Sequence, residues 1–359
     1  AKKHKISREK LAYLIDATAA PVCIIAPISS WAAAVTGFVD GTDGLTLFVK
    51  AIPYNYYALL TIVFMVGIVL LKVDFGPMKA YEAAAIAAPD DDDDELLATG
   101  RGQVKDLIFP IIVLIISCVL GMVYTGGFFS GESFVDAFAN SDASVGLVLG
   151  SLVALIINII WYLGRRVLPF GQCMECLTAG FKAMVPAILI LTFAWTLKAM
   201  TDSLGAAEYV SHIVETYAQG MQAFLPAIIF VIAALLAFAT GTSWGTFGIL
   251  IPIVVSVFMK SDPTLMIISI SACMAGAVCG DHCSPISDTT IMASAGAQAN
   301  HVNHVNTQLP YAVLVAFISC INYIVAGFVK NAAVCLAIGV AMTIGVLFII
   351  KMVSKPIEA

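Results

Sequence analysis

Long apolar runs recur along the chain, and their lengths predict helices that cross a membrane. A helix needs about 20 apolar residues to span a bilayer, and some runs reach this length only across short polar interruptions. The ten-residue alternation typical of membrane β-barrels does not occur in the sequence. The pattern therefore predicts an all-α fold, a polytopic bundle of transmembrane helices. The predicted spans are 11–39, 51–71, 107–124, 143–163, 183–200, 223–259, 264–298, 309–329 and 333–353.

Composition supports a membrane protein and excludes several other classes. Hydrophobic residues make up 60% of the 359 residues, charged residues only 12%, and the mean hydropathy is +0.96. Since a soluble domain is about 45–50% apolar and about 25% charged, this chain has too few polar residues to cover a soluble globule. A soluble enzyme, a nucleic-acid-binding protein and a disordered chain are therefore excluded. The net charge of −6 offers no basic surface to nucleic acid, and the expected surroundings are the lipid bilayer.

Lysine and arginine residues alternate between consecutive predicted loops, which indicates the orientation of the spans. The orientation of the C-terminus stays open. If both late interrupted segments cross the membrane, Lys351 and Lys355 lie outside; if one re-enters, they lie inside and only Lys330 is misplaced. The pattern places three stretches in the cytoplasm, 1–10, 72–105 and 164–182.

The longest predicted cytoplasmic loop is acidic. This loop, at 72–106, contains an unbroken acidic run from Asp90 to Glu95. Self-repulsion in such a run favours a solvated, flexible loop, with a regulatory cation or pH sensor as the alternative. The charged N-terminal stretch lacks a signal-peptide pattern, and we expect further membrane segments upstream of it.

Polar residues interrupt three predicted spans, and such residues are costly in a membrane and usually functional. The first interruption lies at 16–31, where Pro21 and Pro27 each remove a backbone donor and disfavour helix before them. A plain proline kink is the alternative to a functional break. In a functional break, the freed carbonyls would face a polar cavity together with the side chains of Asp16, Thr18, Ser29 and Ser30.

The other two interruptions lie in the C-terminal half. Residues 240–246 place two glycines and four hydroxyl residues in an apolar stretch too long for one ordinary span. This favours two half-helices meeting near the midplane over one long tilted helix. Residues 280–290 combine two acids, hydroxyl residues and a proline, with an extramembrane loop as the alternative. Gly280 is typical of a helix C-terminus, and Ser287 or Asp288 of the next N-cap.

Discontinuous helices at the midplane are where many secondary transporters bind ions. Carboxylates, hydroxyls and backbone carbonyls form a cage of hard oxygen ligands, which suits Na⁺ or H⁺ better than a soft metal. Similar motifs in the two halves, 16–29 and 281–287, favour an internal duplication as inverted repeats. We therefore expect transported ions and no resident cofactor. The predicted ion-binding or coupling residues are Asp281 and Asp288 as Na⁺ ligands, Ser284, Ser287 and Thr289, Thr242 and Ser243 with their carbonyls, and Asp16 and Thr18 in the other half.

Other polar residues have less specific interpretations. Lys198 and Asp202 have the spacing of a local ion pair on a helix, with a gating or coupling charge as the alternative. His282 would either tune pH sensitivity or hold a structural hydrogen bond. The single C-x-x-C at 173–176 lacks a second pair of cysteines, so zinc binding there is not expected.

Several motifs resemble the NhaC family of bacterial Na⁺/H⁺ antiporters. They are GTSWGTFGILIP at 241–252, GDHCSPISDTT at 280–290 and TQLPYA at 307–312, together with 8–21, 26–29, Ala194–Trp195 and Leu204–Gly205. The resemblance implies a multi-pass protein of the bacterial cytoplasmic membrane, built from inverted repeats, that expels Na⁺ in exchange for H⁺ and is not an enzyme. We expect one transporter domain over 1–359 that lacks its N-terminal segments, with halves at 11–163 and 183–353. A homodimer is left open.

An antiporter needs two cations that exclude each other, and one carboxylate that either is protonated or binds Na⁺ meets this need. The resembled family also contains exchangers of organic acids such as malate and lactate, which is the alternative function. Arg165 and Arg166 lie in a predicted loop rather than near the interruptions, which favours cations alone. A channel would use the same breaks without a counter-ion. An intramembrane aspartyl protease is disfavoured because Val278 stands where its G-x-G-D motif needs glycine.

Overall fold

The computed structural model describes residues 5–26, 31, 44–87, 102–205, 222–258 and 262–353. All regular secondary structure in these ranges is helical, which confirms the predicted all-α polytopic bundle. The α-helices are α1 Arg8–Ala17, α2 Ala20–Cys23, α3 Gly44–Ala51, α4 Tyr56–Leu71, α5 Gly76–Ala87, α6 Val104–Thr125, α7 Phe134–Ala139, α8 Ala143–Gly164, α9 Phe170–Ser203, α10 Leu225–Thr240, α11 Ser243–Phe258, α12 Pro263–Cys283, α13 Asp288–Gly296, α14 His301–Val329 and α15 Ala332–Val353.

Within the described part of the chain, 7 helical segments are long and apolar enough to cross a membrane. Two predicted spans, 223–259 and 264–298, are each divided into two helices, and span 11–39 lies partly outside the described residues. Predicted span 183–200 lies inside α9, many of whose side chains are not described. The segments are Tyr56–Ala87, Val104–Thr125, Val145–Gly164, Gln222–Thr240, Pro263–Cys283, His301–Val329 and Ala332–Val353.

The chain folds into two compact units. The first comprises Ala1–Pro27, Ala34–Ala88 and Pro186–Ala359, and the second comprises Ile28–Ala33 and Pro89–Val185. All predicted site residues that the structure describes with their side chains belong to the first unit.

Helix α12 is the central helix of the first unit, since nearly all its residues from Leu265 to Cys283 are buried. It packs against α10 through two glycines one turn apart. A Cβ atom at Gly276 would collide with the carbonyl oxygen of Phe230, and one at Gly280 with that of Ala234. Small residues permit this backbone approach, as is usual between membrane helices. The prediction that Gly280 ends its helix is wrong, because close packing, rather than a helix terminus, requires glycine there.

In the second unit, α6 and α8 pack closely through Gly121, Gly146 and Gly150. At one end of this pair, Arg165 Nε lies 2.9 Å from Asp106 Oδ1. The ion pair joins the first turn of α6 to the residue that follows α8.

The region predicted as the acidic loop, 72–106, contains a helix that the sequence analysis did not expect. Helix α5 forms over Gly76–Ala87 after a turn in which Gly76 has φ +59°, a left-handed conformation that favours glycine. The acidic run Asp90–Glu95 lies outside the described residues.

Both C-terminal helix interruptions are present. Helix α10 ends at Thr240, Gly241 turns with φ +66°, and α11 begins at Ser243. Helix α12 ends at Cys283, and α13 begins at Asp288 with Ser287 in the N-cap position. In the first half, α1 ends at Ala17 and α2 begins at Ala20. Ser29 and Ser30 fall outside the described residues, and the predicted inverted repeats stay a prediction.

Candidate ion-binding site

The two C-terminal interruptions pack against each other. A Cβ atom at Gly241 would lie 2.8 Å from the carbonyl oxygen of Ile286, so only glycine fits this turn. The Ser284 hydroxyl donates a hydrogen bond of 2.8 Å to the carbonyl oxygen of Phe238 near the end of α10. The junction between α10 and α11 therefore lies directly on the junction between α12 and α13.

A buried carboxylate occupies this crossing. Asp281 is 2% exposed, and its Oδ2 atom accepts a 2.7 Å hydrogen bond from the Ser243 hydroxyl. Ser287, the N-cap residue of α13, is also buried, and its hydroxyl lies 2.9 Å from the Thr289 hydroxyl. The Oδ1 atom of Asp281 is buried without a hydrogen-bond partner among the described residues. The site thus presents a free carboxylate oxygen beside hydroxyl groups.

A second buried carboxylate, Asp16 on α1, is surrounded by nitrogen groups. Its Oδ2 atom accepts a 2.8 Å hydrogen bond from Gln308 Nε2. The Nε2 atoms of His304 and His282 lie 3.5 Å and 4.0 Å from the same oxygen. All four side chains are at most 1% exposed. Asp16 Oδ1, Gln308 Oε1 and both ring nitrogens of His304 have no hydrogen-bond partner in the described part of the chain.

His282 connects the two carboxylates, because it follows Asp281 directly and approaches Asp16 through its ring. Its Nδ1 atom lies 2.8 Å from the Tyr57 hydroxyl, and its ring stacks on Tyr13 with centroids 6.2 Å apart. If Tyr57 donates this hydrogen bond, the ring proton is on Nε2 and points toward Asp16. Gln308 Nε2 also donates to the backbone carbonyl of His282. Asp16, His282, His304 and Gln308 form one buried polar group, which His282 links to Asp281 through the backbone of α12. These five residues are called here the carboxylate cluster.

Three residues of this site were not selected from the sequence, namely Tyr57, His304 and Gln308. Gln308 was noted only within a family motif, and the predicted span began at 309 whereas α14 begins at His301. The available signal was spacing, since 304, 308 and 311 lie on one face of a helix. Tyr57 carries no such signal, because its role depends on the packing of α4 against α12.

The remaining predicted residues lie outside the cluster or cannot be placed. Asp288 is exposed in the first turn of α13, where its carboxylate accepts a 2.8 Å hydrogen bond from the Thr289 backbone N–H. Thr18 is exposed, and its hydroxyl donates to the carbonyl oxygens of Leu14 and Ile15. Thr242 is half-buried at the α10–α11 junction. The side chains of Lys198 and Asp202 are outside the described residues.

The crossing presents carboxylate and hydroxyl oxygen atoms, which are the ligand types that hard cations prefer. In the described ranges, no three acidic, histidine or cysteine side chains converge as metal ligands. Seven apolar helices in the described ranges, together with crossed helix breaks that hold a buried carboxylate, are typical of a multi-pass membrane transporter.

Comparison with known proteins specifies the family. A model of the Na⁺/H⁺ antiporter family matches residues 11–328, and the chain belongs to this family of membrane antiporters. No solved structure matches the chain.

Three relatives illustrate the range of the family. An uncharacterised protein of Haemophilus influenzae is 39% identical over 97% of this chain and 69% of its own length. An uncharacterised Na⁺/H⁺ antiporter of the same organism is 31% identical over 46% of this chain and 36% of its own. The malate-2H⁺/Na⁺-lactate antiporter of Bacillus subtilis is 32% identical over 27% of this chain and 21% of its own. The chain is therefore similar to antiporters of cations and of organic acids.

Proposed function

We propose that the protein exchanges Na⁺ for H⁺ across the bacterial cytoplasmic membrane, as a member of the NhaC group. The observation that carries this proposal is the Asp281 carboxylate, buried at the crossing of two broken helices with its Oδ1 atom unpaired. Family membership supports antiport, and the chemistry of Asp281 and its hydroxyl neighbours supports Na⁺ and H⁺ as the exchanged ions.

The exchange follows from the cost of a buried charge. An ionised carboxylate without a positive partner is strongly disfavoured in a low-dielectric interior. Asp281 is therefore stable in two forms, protonated or bound to a cation. The Ser243 hydroxyl donates to the carboxylate, and its own lone pairs are available to a cation. Because one carboxylate serves both ions, binding of Na⁺ displaces the proton, and binding of a proton displaces Na⁺.

Asp16 would act as the related acid of the other half, as the sequence predicts. Its neighbours are two imidazoles and an amide rather than hydroxyls, so nitrogen groups rather than oxygen ligands face this carboxylate. Asp288 remains a proposed Na⁺ ligand at the exposed start of α13. A carboxylate in a first helical turn also stabilises its helix through the helix dipole. Asp288→Asn separates the two roles, because loss of Na⁺-driven proton movement in a stably folded variant indicates a ligand.

The test is proton movement driven by Na⁺ in everted membrane vesicles that contain the full-length protein. We expect Na⁺ to dissipate an imposed pH gradient, and the variants D281N and D16N to abolish this response. The matched control is D262N, which removes an acid at the N-cap of α12, outside the carboxylate cluster. Wild-type exchange in D281N would refute the proposed role of Asp281. Transport is compared only between D281N and D262N preparations that contain equal amounts of purified protein, so that a loss of expression is not counted as a loss of transport.

An organic-acid exchanger is the second candidate, and one observation favours it. Gln308, His282 and His304 place nitrogen groups in the buried cluster, and N–H donors bind carboxylates. A relative whose printed name specifies malate and lactate adds support. Malate and lactate are therefore added in turn to the same vesicles. Proton movement that requires an organic acid in addition to Na⁺ would favour this function over simple Na⁺/H⁺ exchange.

A further inference from the structure

A second cluster of buried charges lies outside the carboxylate cluster and was not singled out from the sequence. Lys10 Nζ on α1 lies 2.8 Å from Asp74 Oδ2 and 3.2 Å from Glu82 Oε2. The three side chains are 12%, 5% and 7% exposed, respectively. Asp74 precedes α5 and Glu82 lies within it. The cluster therefore connects α1 to the segment that begins α5.

The hydrogen bonds of this cluster are complete, unlike those of Asp16 and Asp281. Each carboxylate oxygen of Asp74 and Glu82 has a donor. Tyr311 Oη donates to Asp74 Oδ1 at 2.9 Å, and the backbone N–H and hydroxyl of Ser7 donate to Glu82 Oε1 at 2.8 Å and 2.5 Å. A buried ion pair whose groups are all satisfied is costly to break, because removal of one partner leaves an uncompensated charge. Such a cluster fixes the positions of the helices that contribute to it.

Helices α1 and α14, which contribute Lys10 and Tyr311 to the fully bonded cluster, also contribute residues to the carboxylate cluster. On α1, positions 10, 13 and 16 lie three residues apart, and on α14, positions 304, 308 and 311 share a face. The Tyr13 and Tyr311 rings meet edge to face, with centroids 5.1 Å apart. Asp16 thus faces Gln308 one turn beyond the contact between Tyr13 and Tyr311.

Helix α1 depends on tertiary contacts to remain in place. It has 10 residues, and isolated helices shorter than about 12–15 residues are marginal in water. Ser7 caps the helix by accepting a hydrogen bond from the Lys10 N–H at 3.1 Å, and the same side chain donates to Glu82. The start of α1 is therefore joined to α5 through both Ser7 and Lys10.

We propose that Lys10, Asp74 and Glu82 are positioning residues, which hold α1 so that the Asp16 carboxylate meets Gln308 and His304. The inference rests on the proposed function, because it assigns these three residues a role in ion binding at Asp16. They touch no transported ion themselves.

The test compares Lys10→Met with Lys10→Arg in the full-length protein. The matched control is Lys330→Met, which removes the lysine from another ion pair of the same unit, 2.7 Å from Asp262. Two quantities are measured, the Na⁺ concentration that half-saturates exchange in vesicles and amide hydrogen exchange of residues 8–17 in the purified protein. The second measurement needs no substrate.

We expect Lys10→Met to raise the half-saturating Na⁺ concentration about tenfold and to accelerate amide exchange in α1. Lys10→Arg keeps the charge and should retain both properties near the wild-type level, and Lys330→Met should change neither. If Lys10→Met does not accumulate, Glu82→Gln, which retains the shape of the side chain, is measured in the same way. We expect the same direction of change with smaller amplitude.

If Lys10→Met speeds amide hydrogen exchange in α1 but leaves the half-saturating Na⁺ concentration unchanged, the positioning role is overturned, since the cluster would then only stabilise the fold. If amide hydrogen exchange in α1 is unchanged, the cluster does not hold α1 in place and the proposal fails. Equal effects of Lys330→Met and Lys10→Met would also overturn the proposal. If the wild-type protein shows no Na⁺-dependent proton movement, the proposed function is refuted. Amide hydrogen exchange of residues 8–17 would still show whether the three residues hold α1 in place.

Discussion

The Ser243 hydroxyl donates a 2.7 Å hydrogen bond to Asp281 Oδ2 across two helix interruptions that are separated by 38 residues in the chain. Ser243 is the first residue of α11, and Asp281 lies in the last turn of α12. The bond joins the start of α11, directly after the turn at Gly241, to the C-terminal end of α12. The turn between α10 and α11 therefore places a hydroxyl group on the carboxylate that we propose binds the ion.

Substitution of Ser243 by alanine should weaken Na⁺ binding without abolishing exchange. The change removes one hydroxyl from the coordination of Asp281, and a hydrogen bond to a charged group contributes about 1.5–3 kcal/mol. We expect the half-saturating Na⁺ concentration to rise at least tenfold, measured by dequenching in vesicles. Thr246→Val is the control, because the Thr246 hydroxyl donates to the backbone carbonyl of Thr242, one turn earlier, rather than to Asp281. Equal responses of the two variants would contradict a specific role of Ser243.

Substitution of Gln308 by leucine should strongly impair ion exchange, although Gln308 lies outside the motif at 280–290. Gln308 Nε2 donates both to Asp16 and to the His282 carbonyl, so leucine leaves two buried acceptors without that donor. Asn306→Ala on the exposed face of α14 is the matched control. Exchange rates in vesicles should fall at least tenfold for Q308L, since an unsatisfied charged acceptor costs about 1–3 kcal/mol or more, and should stay normal for N306A. Normal exchange in Q308L would remove Gln308 from the site.

Substitution of Gly280 by alanine should destabilise the protein through packing alone. The added Cβ would collide with the Ala234 carbonyl oxygen and lie 2.7 Å from the Phe238 nitrogen, and overpacking costs about 1–3 kcal/mol. Gly296→Ala is the control, because nothing lies within 4 Å of a Cβ at that position. Thermal unfolding in detergent should show a lower Tm for G280A and an unchanged or higher Tm for G296A. A wild-type Tm for G280A would mean that α10 and α12 lie farther apart.

The ion pair of Asp262 and Lys330 should give a small, pH-dependent contribution to stability. The hydrogen bond from Lys330 lowers the pKa of Asp262 below its ordinary value. The stabilisation is therefore fully present above the unfolded pKa, about 3.9, and is lost as the pH falls through the lower folded pKa. Lys330→Met should lower stability by at most about 1 kcal/mol near neutral pH, as for an exposed pair. The difference in Tm from the wild type should shrink below about pH 4, and a constant difference would contradict this assignment.

The helical fold and the positions of the breaks follow from features that the sequence displays directly. Apolar runs of membrane length predicted spans 107–124, 143–163 and 333–353 to within three residues of α6, α8 and α15. The glycine and hydroxyl residues around Gly241 marked the first C-terminal break. The error at Gly280 has a physical reason. A glycine serves equally at a helix end and at a close helix contact, and only the position of α10 distinguishes the two uses.

The partners of Asp16 could not be predicted in the same way. His304 and Gln308 lie nearly 300 residues from Asp16 in the chain, with 292 residues separating Asp16 from Gln308. They also lie in the polar first two turns of α14, which the hydrophobic pattern left out of the predicted span 309–329. Local hydrophobicity records which residues are polar but not which helices meet, so the sequence identified Asp16 without its partners His304 and Gln308. The fully bonded cluster of Lys10, Asp74 and Glu82 was missed for the same reason, because these residues lie in segments that have the sequence of ordinary charged loops.

Proton release on Na⁺ binding tests the central claim most directly, namely that the Asp281 carboxylate holds either H⁺ or Na⁺. NaCl is added to purified full-length protein in weakly buffered detergent solution, and the pH change is compared with that caused by choline chloride. The account predicts release of protons from the wild-type protein and from D262N, and none from D281N. Binding of Na⁺ without proton release, or equal release from D281N, would contradict it.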